Sequence, residues 1–280
     1  MIAKKLHIYI ALCLLAVAAV FPLFYMLTNS FMGAAEFSRF YGSLSKGVSG
    51  RNPLHFIPEW TTLEGYWEVF YSRPDYLIKF WSSLFISGSI LAGQIVVAVL
   101  GGYAFSRFRF PGRDAIFFVI VVLMMLPLQV TLVPNFIVLD RFGLIGSYAA
   151  LILPGMFSAF GVFLMRQIML GLPVSIFEAA MLDGYGPLRS LWAVCLPNCK
   201  AGLAALVILN FADSWNMVEQ PLVFLRDPNK FPMSVFLTQV NQIKPEVGFA
   251  AGILSVLPAM LLFLYFKDEM IMGIEYSAVK

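Results

Sequence analysis

Charged residues are scarce in this chain, and their scarcity excludes an ordinary soluble domain. Asp, Glu, Lys and Arg together make up 12% of the 280 residues, against roughly 25% in a typical globular protein. Hydrophobic residues make up 60%, and the mean hydropathy is +0.82. Because a membrane-spanning helix takes about 20 mainly apolar residues, this composition predicts a multi-pass membrane protein with modest loops.

Groups that perform catalysis or bind metals are also few. The chain has two histidines, His7 and His55, and three cysteines, of which Cys195 and Cys199 lie on either side of Pro197. No His or Cys cluster accompanies this pair, so we expect reduced structural thiols and predict no metal or cofactor site. No G-x-x-x-x-G-K-[ST] loop occurs, so ATP binding by a P-loop is not expected. The net charge of +3 comes without a basic run, which argues against nucleic acid as a partner.

Six apolar segments predict an all-α membrane protein with six transmembrane helices. The first lies within residues 1–29, follows Lys4 and Lys5, and continues beyond the roughly 7 to 15 apolar residues of a signal peptide. We therefore interpret it as an uncleaved helix. The basic turn at residues 106–113 belongs on the cytoplasmic side, and six spans then place both termini in the cytoplasm. The other five segments cover about residues 81–105, 115–139, 148–165, 202–218 and 249–266.

Residues 30–80 separate the first two spans and have a different composition. They are polar, broken by Gly and Pro, and rich in aromatic residues, which predicts an extracytoplasmic loop or small folded cap. Its role is either structural or that of a surface for an external partner. Residues 81–280 form the membrane core, with a cytoplasmic loop at residues 166–200 and a C-terminal tail at residues 267–280.

Small residues and prolines suggest how the core packs. The second span carries many Gly, Ala and Ser residues between positions 87 and 102, which lets membrane helices approach closely. Pro127 and Pro134 interrupt the third span and Pro154 lies in the fourth. Proline kinks a helix, and lipid tolerates this only where neighbours or a cavity satisfy the freed groups. The prolines therefore favour a bundle around a path or a moving seam.

The most polar part of any span is at residues 210–222. Asn210, Asp213, Trp215 and Asn216 combine amide, carboxylate and aromatic groups, the mixture that binds polar solutes. We interpret these four residues as a possible translocation path. The alternative is that they bond to neighbouring helices or begin an outer turn before Pro221.

The loop at residues 166–200 has its own helix signals. Ser175 and Glu178 have the spacing of a capping box, so we predict a short helix from near Val174 that stops at Gly184, where a positive φ is tolerated.

A second helix is predicted to start at Pro187 and to end before Pro197. Local physics explains Glu178 as a cap and the two following alanines as helix formers. The alternative is that small side chains beside Phe177 let the first helix enter a groove on another protein.

The same loop carries a known pattern. E-A-A-x3-G-x9-I-x-L-P marks the membrane permeases of ABC importers, and the chain resembles this family at Glu178, Ala179, Ala180, Gly184, Val194, Leu196 and Pro197. Val194 replaces Ile, and Tyr185 stands where a small residue is common. The chain also resembles carbohydrate permeases of the maltose-transporter type at residues 102–112, at residues 214–222 and in its tail, where Ser277 stands in place of Gly. The resemblance covers residues 102–280.

The resemblance implies a type I importer permease with a MetI-like fold in a bacterial cell membrane. Such a subunit is not itself an enzyme and imports a sugar or oligosaccharide by alternating access. Its partners are a second homologous permease, cytoplasmic ATPase subunits and an extracytoplasmic solute-binding protein. A stand-alone secondary transporter or channel is the alternative.

The resemblance also assigns sites. Residues 81–280 become the permease core, and the loop at residues 219–248 faces the binding protein. ATPase coupling falls to Phe177, Glu178, Ala179, Ala180, Asp183, Gly184, Leu196 and Pro197. The tail offers a second contact with the ATPase at Gly273, Ala278, Val279 and Lys280.

Overall fold

A computed structural model describes residues 2–45, 55–72, 75–243 and 245–278. Within these ranges the chain is helical, and the β structure is limited to a single antiparallel bridge between Met32 and Thr61. This agrees with the all-α class predicted from the sequence.

The α-helices follow in chain order: α1 (Ile2–Asn29), α2 (Ala34–Ser45), α3 (Glu64–Trp67), α4 (Asp75–Arg107), α5 (Arg113–Met124), α6 (Leu128–Arg141), α7 (Ala149–Gly155), α8 (Ala159–Leu170), α9 (Val174–Leu182), α10 (Pro187–Ser190), α11 (Leu196–Asn198), α12 (Lys200–Trp215), α13 (Glu219–Phe224), α14 (Met233–Ile243) and α15 (Pro245–Ala278). Two π turns, Glu68–Ser72 and Leu191–Cys195, and a 3-10 turn, Pro228–Lys230, complete the helical structure.

Several helical segments are long and apolar enough to cross a membrane. Four do so singly: His7–Asn29, Asp75–Arg107, Ala149–Leu170 and Glu246–Ile271. Two further pairs qualify together, α5 with α6, bent by 107°, and the arm Pro187–Asn198 with α12, bent by 83°. The count is six if each bent pair forms one span, so the membrane fold predicted from the sequence is confirmed.

The third predicted span is broken at Pro127. This residue has an extended backbone, with φ −66° and ψ 143°, and α6 starts directly after it. A proline disfavours helical geometry in the residue before it, which ends α5. The 12 residues of α5 rise only about 18 Å, less than the roughly 30 Å of a hydrocarbon core. Pro134 lies inside α6 without ending it.

The first of two compact units comprises residues 1–81 and 233–257. Its core near α2 contains Met32, Phe37 and Tyr41, packed against Tyr25 and Phe249. Part of the predicted cap, at residues 46–54 and 73–74, lies outside the described residues.

The cap contacts within this unit join distant parts of the chain. The hydroxyl of Tyr76 donates to the carbonyl of Ala251 at 3.2 Å. The Glu36 carboxylate accepts from the backbone N–H of Glu59 at 2.7 Å. Glu59 is therefore fastened to α2, and the start of α4 is fastened to α15.

The second unit comprises residues 82–232 and 258–280, and α4 packs tightly on α8 within it. A Cβ atom at Gly102 would lie 2.6 Å from the Cβ of Met165, and one at Gly101 would lie 3.2 Å from Val162. The predicted role of small residues in helix packing is confirmed at these positions. Gly88, by contrast, faces open space.

Candidate functional site

The helix predicted in the central loop is α9, and its two ends differ in how they form. At the C-terminus Gly184 has φ +79°. The Tyr185 N–H donates to the Ala180 carbonyl at 2.9 Å, and the Gly184 N–H donates to Met181 at 3.0 Å. This is a Schellman motif, so the prediction of a helix stop at Gly184 is confirmed.

The predicted capping box at the other end is wrong. Pro173 is the N-cap residue, with φ −57° and ψ 139°, and no side chain caps the helix. Because this extended proline leads directly into helical geometry at Val174, Ser175 already lies inside the helix and cannot accept as an N-cap. Glu178 therefore has no capping role and is exposed.

The second helical arm starts at Pro187 as predicted, but the prediction that it ends before Pro197 is wrong. It continues through a π turn and α11 to Asn198. In the π turn the Leu196 N–H bonds to the Leu191 carbonyl, which carries the helical path into the proline. The Asn198 side chain donates to the Val194 carbonyl at 2.7 Å, so that carbonyl is satisfied beside Pro197.

The predicted coupling residues divide between two faces of the loop. Phe177 and Ala180 are 7% and 4% exposed, and Phe177 packs in a core with Tyr103, Met169 and Leu191. Leu196 is half-buried against the same core. The other predicted coupling residues are exposed: Glu178, Ala179, Asp183, Gly184 and Pro197. Val174, Met181 and Leu182, which the sequence did not single out, are also exposed.

The buried face is fastened to α4 by Arg107. The Nη2 of Arg107 donates to the carbonyls of Met169 and of Leu172, the latter at 3.1 Å. Carbonyls at the end of α8 lack helical partners, so a cation is favourable there. The guanidinium also lies 3.9 Å from the centroid of the Phe177 ring.

A second link joins α4 to α10. The Tyr103 hydroxyl donates to the Pro187 carbonyl at 3.1 Å. The sequence signalled Arg107 only as a basic residue after the second span, and no sequence pattern pointed to Tyr103. Both residues line a cavity of about 480 Å³ with Arg109 and Met181.

The four predicted path residues do not share one environment. Asp213 is exposed and lines a cavity of about 270 Å³. Asn210 and Trp215 are 3% and 4% exposed, and Trp215 stacks on Phe211 with ring centroids 5.6 Å apart. Asn216 is exposed, and its amide donates to the Ala212 carbonyl at 2.9 Å.

The remaining predicted residues are those of the C-terminal tail and the two cysteines of the loop. Gly273 and Ala278 lie in the last turns of α15, whereas Val279 and Lys280 fall outside the described residues. The thiols of Cys195 and Cys199 are free and buried. In the part of the chain that the structure covers, no group of three or more His, Cys, Asp or Glu residues could hold a metal ion.

Long apolar helices, two bent spans and a structured loop between spans define a multi-pass helical membrane protein. Residues 94–268 match the family described as the inner membrane component of binding-protein-dependent transport systems, and the chain belongs to this family. It is a permease of an ABC importer, located in the inner membrane and working with a solute-binding protein. The family predicted from the loop pattern is thus confirmed.

Curated relatives match along most of the chain. It is 29% identical over 276 residues to the arabinooligosaccharides transport system permease protein AraQ of Halalkalibacterium halodurans, covering 97% of this chain and 95% of that protein. It is 31% identical over 240 residues to the sn-glycerol-3-phosphate transport system permease protein UgpE of Yersinia pestis, and the match covers 80% of this chain and 84% of that protein.

A solved structure shares the fold. It is a crystal structure of a bacterial ABC transporter involved in the import of the acidic polysaccharide alginate. Its matching chain superposes with a TM-score of 0.79 at 22% identity, over 95% of this chain and 96% of that one.

Proposed function

We propose that this permease imports a sugar or oligosaccharide and that α9 docks in a groove of a separate ATPase subunit. The names of the relatives, one of which is a permease of an arabinooligosaccharides transport system, support the solute class. The sequence has no P-loop, which supports an ATPase on another chain.

The observation that carries the docking proposal is the exposed apolar side of α9. Val174, Met181 and Leu182 are 60%, 63% and 90% exposed, and the charged residues Glu178 and Asp183 accompany them. An apolar strip with a charged margin is the surface by which a helix enters a hydrophobic groove on a partner. The charges argue against lipid as the occupant.

The buried side of α9 makes this helix suitable as a lever. The Arg107 guanidinium on the Phe177 ring and the hydrogen bond from Tyr103 to Pro187 tie the loop to α4. When the ATPase subunits close, a displaced α9 would pull on α4 and α8 together. Two packed arrangements of the bundle then give alternating access.

The resemblance to ABC importer permeases supports the remaining assignments, which concern the two sides of the membrane and the other partners. Both termini and the loop at residues 166–200 lie in the cytoplasm, and the tail at residues 273–280 is a second ATPase contact. Residues 30–80 form a cap outside the membrane, and the outer loop at residues 219–248 faces the binding protein. A second homologous permease completes the pore.

The test is ATPase attachment to the permease after Leu182→Asp. Removing a buried leucine from the groove forfeits about 2 to 3 kcal/mol, and each 1.4 kcal/mol is about tenfold in affinity. We expect the tagged permease, expressed with its partner permease and ATPase, to retain far less ATPase after purification. Glu178→Lys should weaken retention in the same direction.

The matched control is Phe142→Asp, which also places a charge on an exposed apolar residue. Phe142 is 74% exposed and follows α6, on the predicted outer side. It should keep full ATPase retention. Wild-type retention and wild-type solute-driven ATP hydrolysis in both Leu182→Asp and Glu178→Lys would refute docking by α9.

A further inference from the structure

We infer that this subunit itself holds the solute, at a cavity around Asp213 and Gln220 that accepts a neutral, hydroxyl-rich segment and disfavours an anionic one. The inference rests on the proposed function and adds to it a contact and a preference for charge.

Five helices build this cavity. Gln94 comes from α4, Asn135 from α6, Pro154 from α7 and Asp213 from α12, while Gln220 comes from α13. The cavity measures about 270 Å³, just under the roughly 300 to 1,000 Å³ of pockets that enclose a drug-sized ligand. It therefore suits one segment of a chain-like solute.

Helix breaks give the cavity its shape. The bend of 107° between α5 and α6 starts α6 at Leu128, and both Leu128 and Pro154 line the cavity. Broken helices in a membrane bundle are tolerated where they line a cavity. Of the prolines that the sequence associated with a path, Pro154 lines this site, while Pro127 and Pro134 each precede a lining residue, Leu128 and Asn135.

Amide side chains from three helices line the cavity, and that of Gln94 is held by the protein itself. The Nε2 of Gln94 donates to the Gly155 carbonyl at 2.9 Å. Its Oε1 is buried and has no hydrogen-bond partner within the described residues. That oxygen is shielded from solute, whereas Asn135 and Gln220 also line the cavity, and a sugar hydroxyl can donate to their amide oxygens and accept from their amide nitrogens.

The charge of the lining determines which solutes fit. Asp213 is its one ionisable residue, and no Lys, Arg or His lies among the described lining residues. A carboxylate accepts hydrogen bonds from neutral hydroxyls but repels a phosphate or a uronate. The side chain of Phe157 is 49% exposed and also lines the cavity, so it offers a ring against which the C–H face of a sugar can pack.

This chemistry separates the solutes of the relatives. An arabino-oligosaccharide is neutral and rich in hydroxyls, whereas sn-glycerol 3-phosphate and alginate are anions. The cavity matches the neutral class, even though the identity to the glycerol phosphate permease is 31%.

The experiment measures binding of two labelled probes to the purified importer in detergent, without binding protein or ATP. The probes are arabinotriose and sn-glycerol 3-phosphate. We expect the wild-type complex to bind arabinotriose more tightly. Gln220→Ala should weaken arabinotriose binding about tenfold, the scale of one hydrogen bond. Asp213→Asn should weaken it similarly and raise the affinity for the phosphate probe.

Gln167→Ala is the matched control, because Gln167 is an exposed glutamine on α8 that does not line the cavity. It should bind both probes as the wild type does. ATPase retention in every variant reports assembly, so a failure of docking by α9 remains distinguishable from a failure here. Tighter binding of the phosphate probe, no binding of arabinotriose, or wild-type affinity in both cavity variants would overturn the inference.

Discussion

Gly102→Ala tests the close contact between α4 and α8 that supports the central loop. The new Cβ would lie 2.6 Å from the Cβ of Met165 and 2.9 Å from the backbone nitrogen of Arg166. Carbon atoms in contact are best separated by about 3.5 to 4.0 Å, so the helices must move apart by about 1 Å. Met165 is fully buried, and backbone atoms cannot rotate away.

The magnitude follows from comparison with Gly88→Ala in the same helix. Overpacking of this kind costs about 1 to 3 kcal/mol, while replacing Gly by Ala in a helix gains up to about 1 kcal/mol. Gly88 is exposed and a Cβ there meets nothing within 4 Å. Because both variants gain the same propensity, their difference isolates the clash.

The assay is thermal unfolding of each purified variant in the same detergent. For chains of roughly this size, 1 kcal/mol shifts the midpoint by about 2 to 4 °C, so Gly102→Ala should unfold several degrees below Gly88→Ala. Uptake should fall as well, since α8 leads directly into α9. Equal midpoints for the two variants would refute the packing of α4 on α8 described above.

Two further predictions concern how the loop is held. Gly184→Ala forces a side chain into the left-handed region at φ +79°, a cost of about 1 to 2 kcal/mol, and should reduce solute-stimulated ATP hydrolysis. Gly186→Ala, at φ −72° with open space around it, should leave hydrolysis unchanged. Equal hydrolysis in the two variants would contradict the role of the Schellman turn. Arg107→Ala removes the donor to the end of α8 and the cation on Phe177, at a cost of about 1.5 to 3 kcal/mol, and should speed limited proteolysis of the loop. Arg109→Ala, at an exposed residue, should leave the cleavage rate unchanged. Equal cleavage rates in the two variants would argue against Arg107 as the link that holds the loop.

The spans were predictable because lipid leaves the backbone no partner but its own helix. Their ends were less so. The second span was expected at residues 81–105, yet α4 runs from Asp75 to Arg107. Hydropathy marks the part of a helix that lipid favours, whereas the helix itself continues until a cap or a proline stops it.

The two prolines of the third span show a second limit. Pro127 and Pro134 carry the same local penalty, but only Pro127 separates two helices. Whether a freed carbonyl is satisfied depends on neighbours that the sequence does not identify. The break, and with it the 107° bend, therefore required the three-dimensional structure.

The loop shows which part of a site a pattern can define. Spacing alone places Phe177 and Ala180 on one side of a helix, three residues apart, and identifies the stop at Gly184. It does not say which side faces inward, since both sides carry apolar residues. The contact from Arg107, which lies 70 positions before Phe177, decides this and has no local signal.

The predicted path residues on α12 differ in what a substitution at each of them can test. Phe211 and Trp215 lie one helical turn apart on α12 and stack on each other, whereas Asp213 lies between them in sequence and lines the cavity with Ser214. Replacing Trp215 by Ala would cost about 3 to 5 kcal/mol through lost packing. Uptake would then fall whether or not this residue meets the solute, so Trp215→Ala cannot test the path. Asp213→Asn keeps the shape of the side chain and changes only its charge, so an altered preference between neutral and anionic probes reports on the solute contact itself.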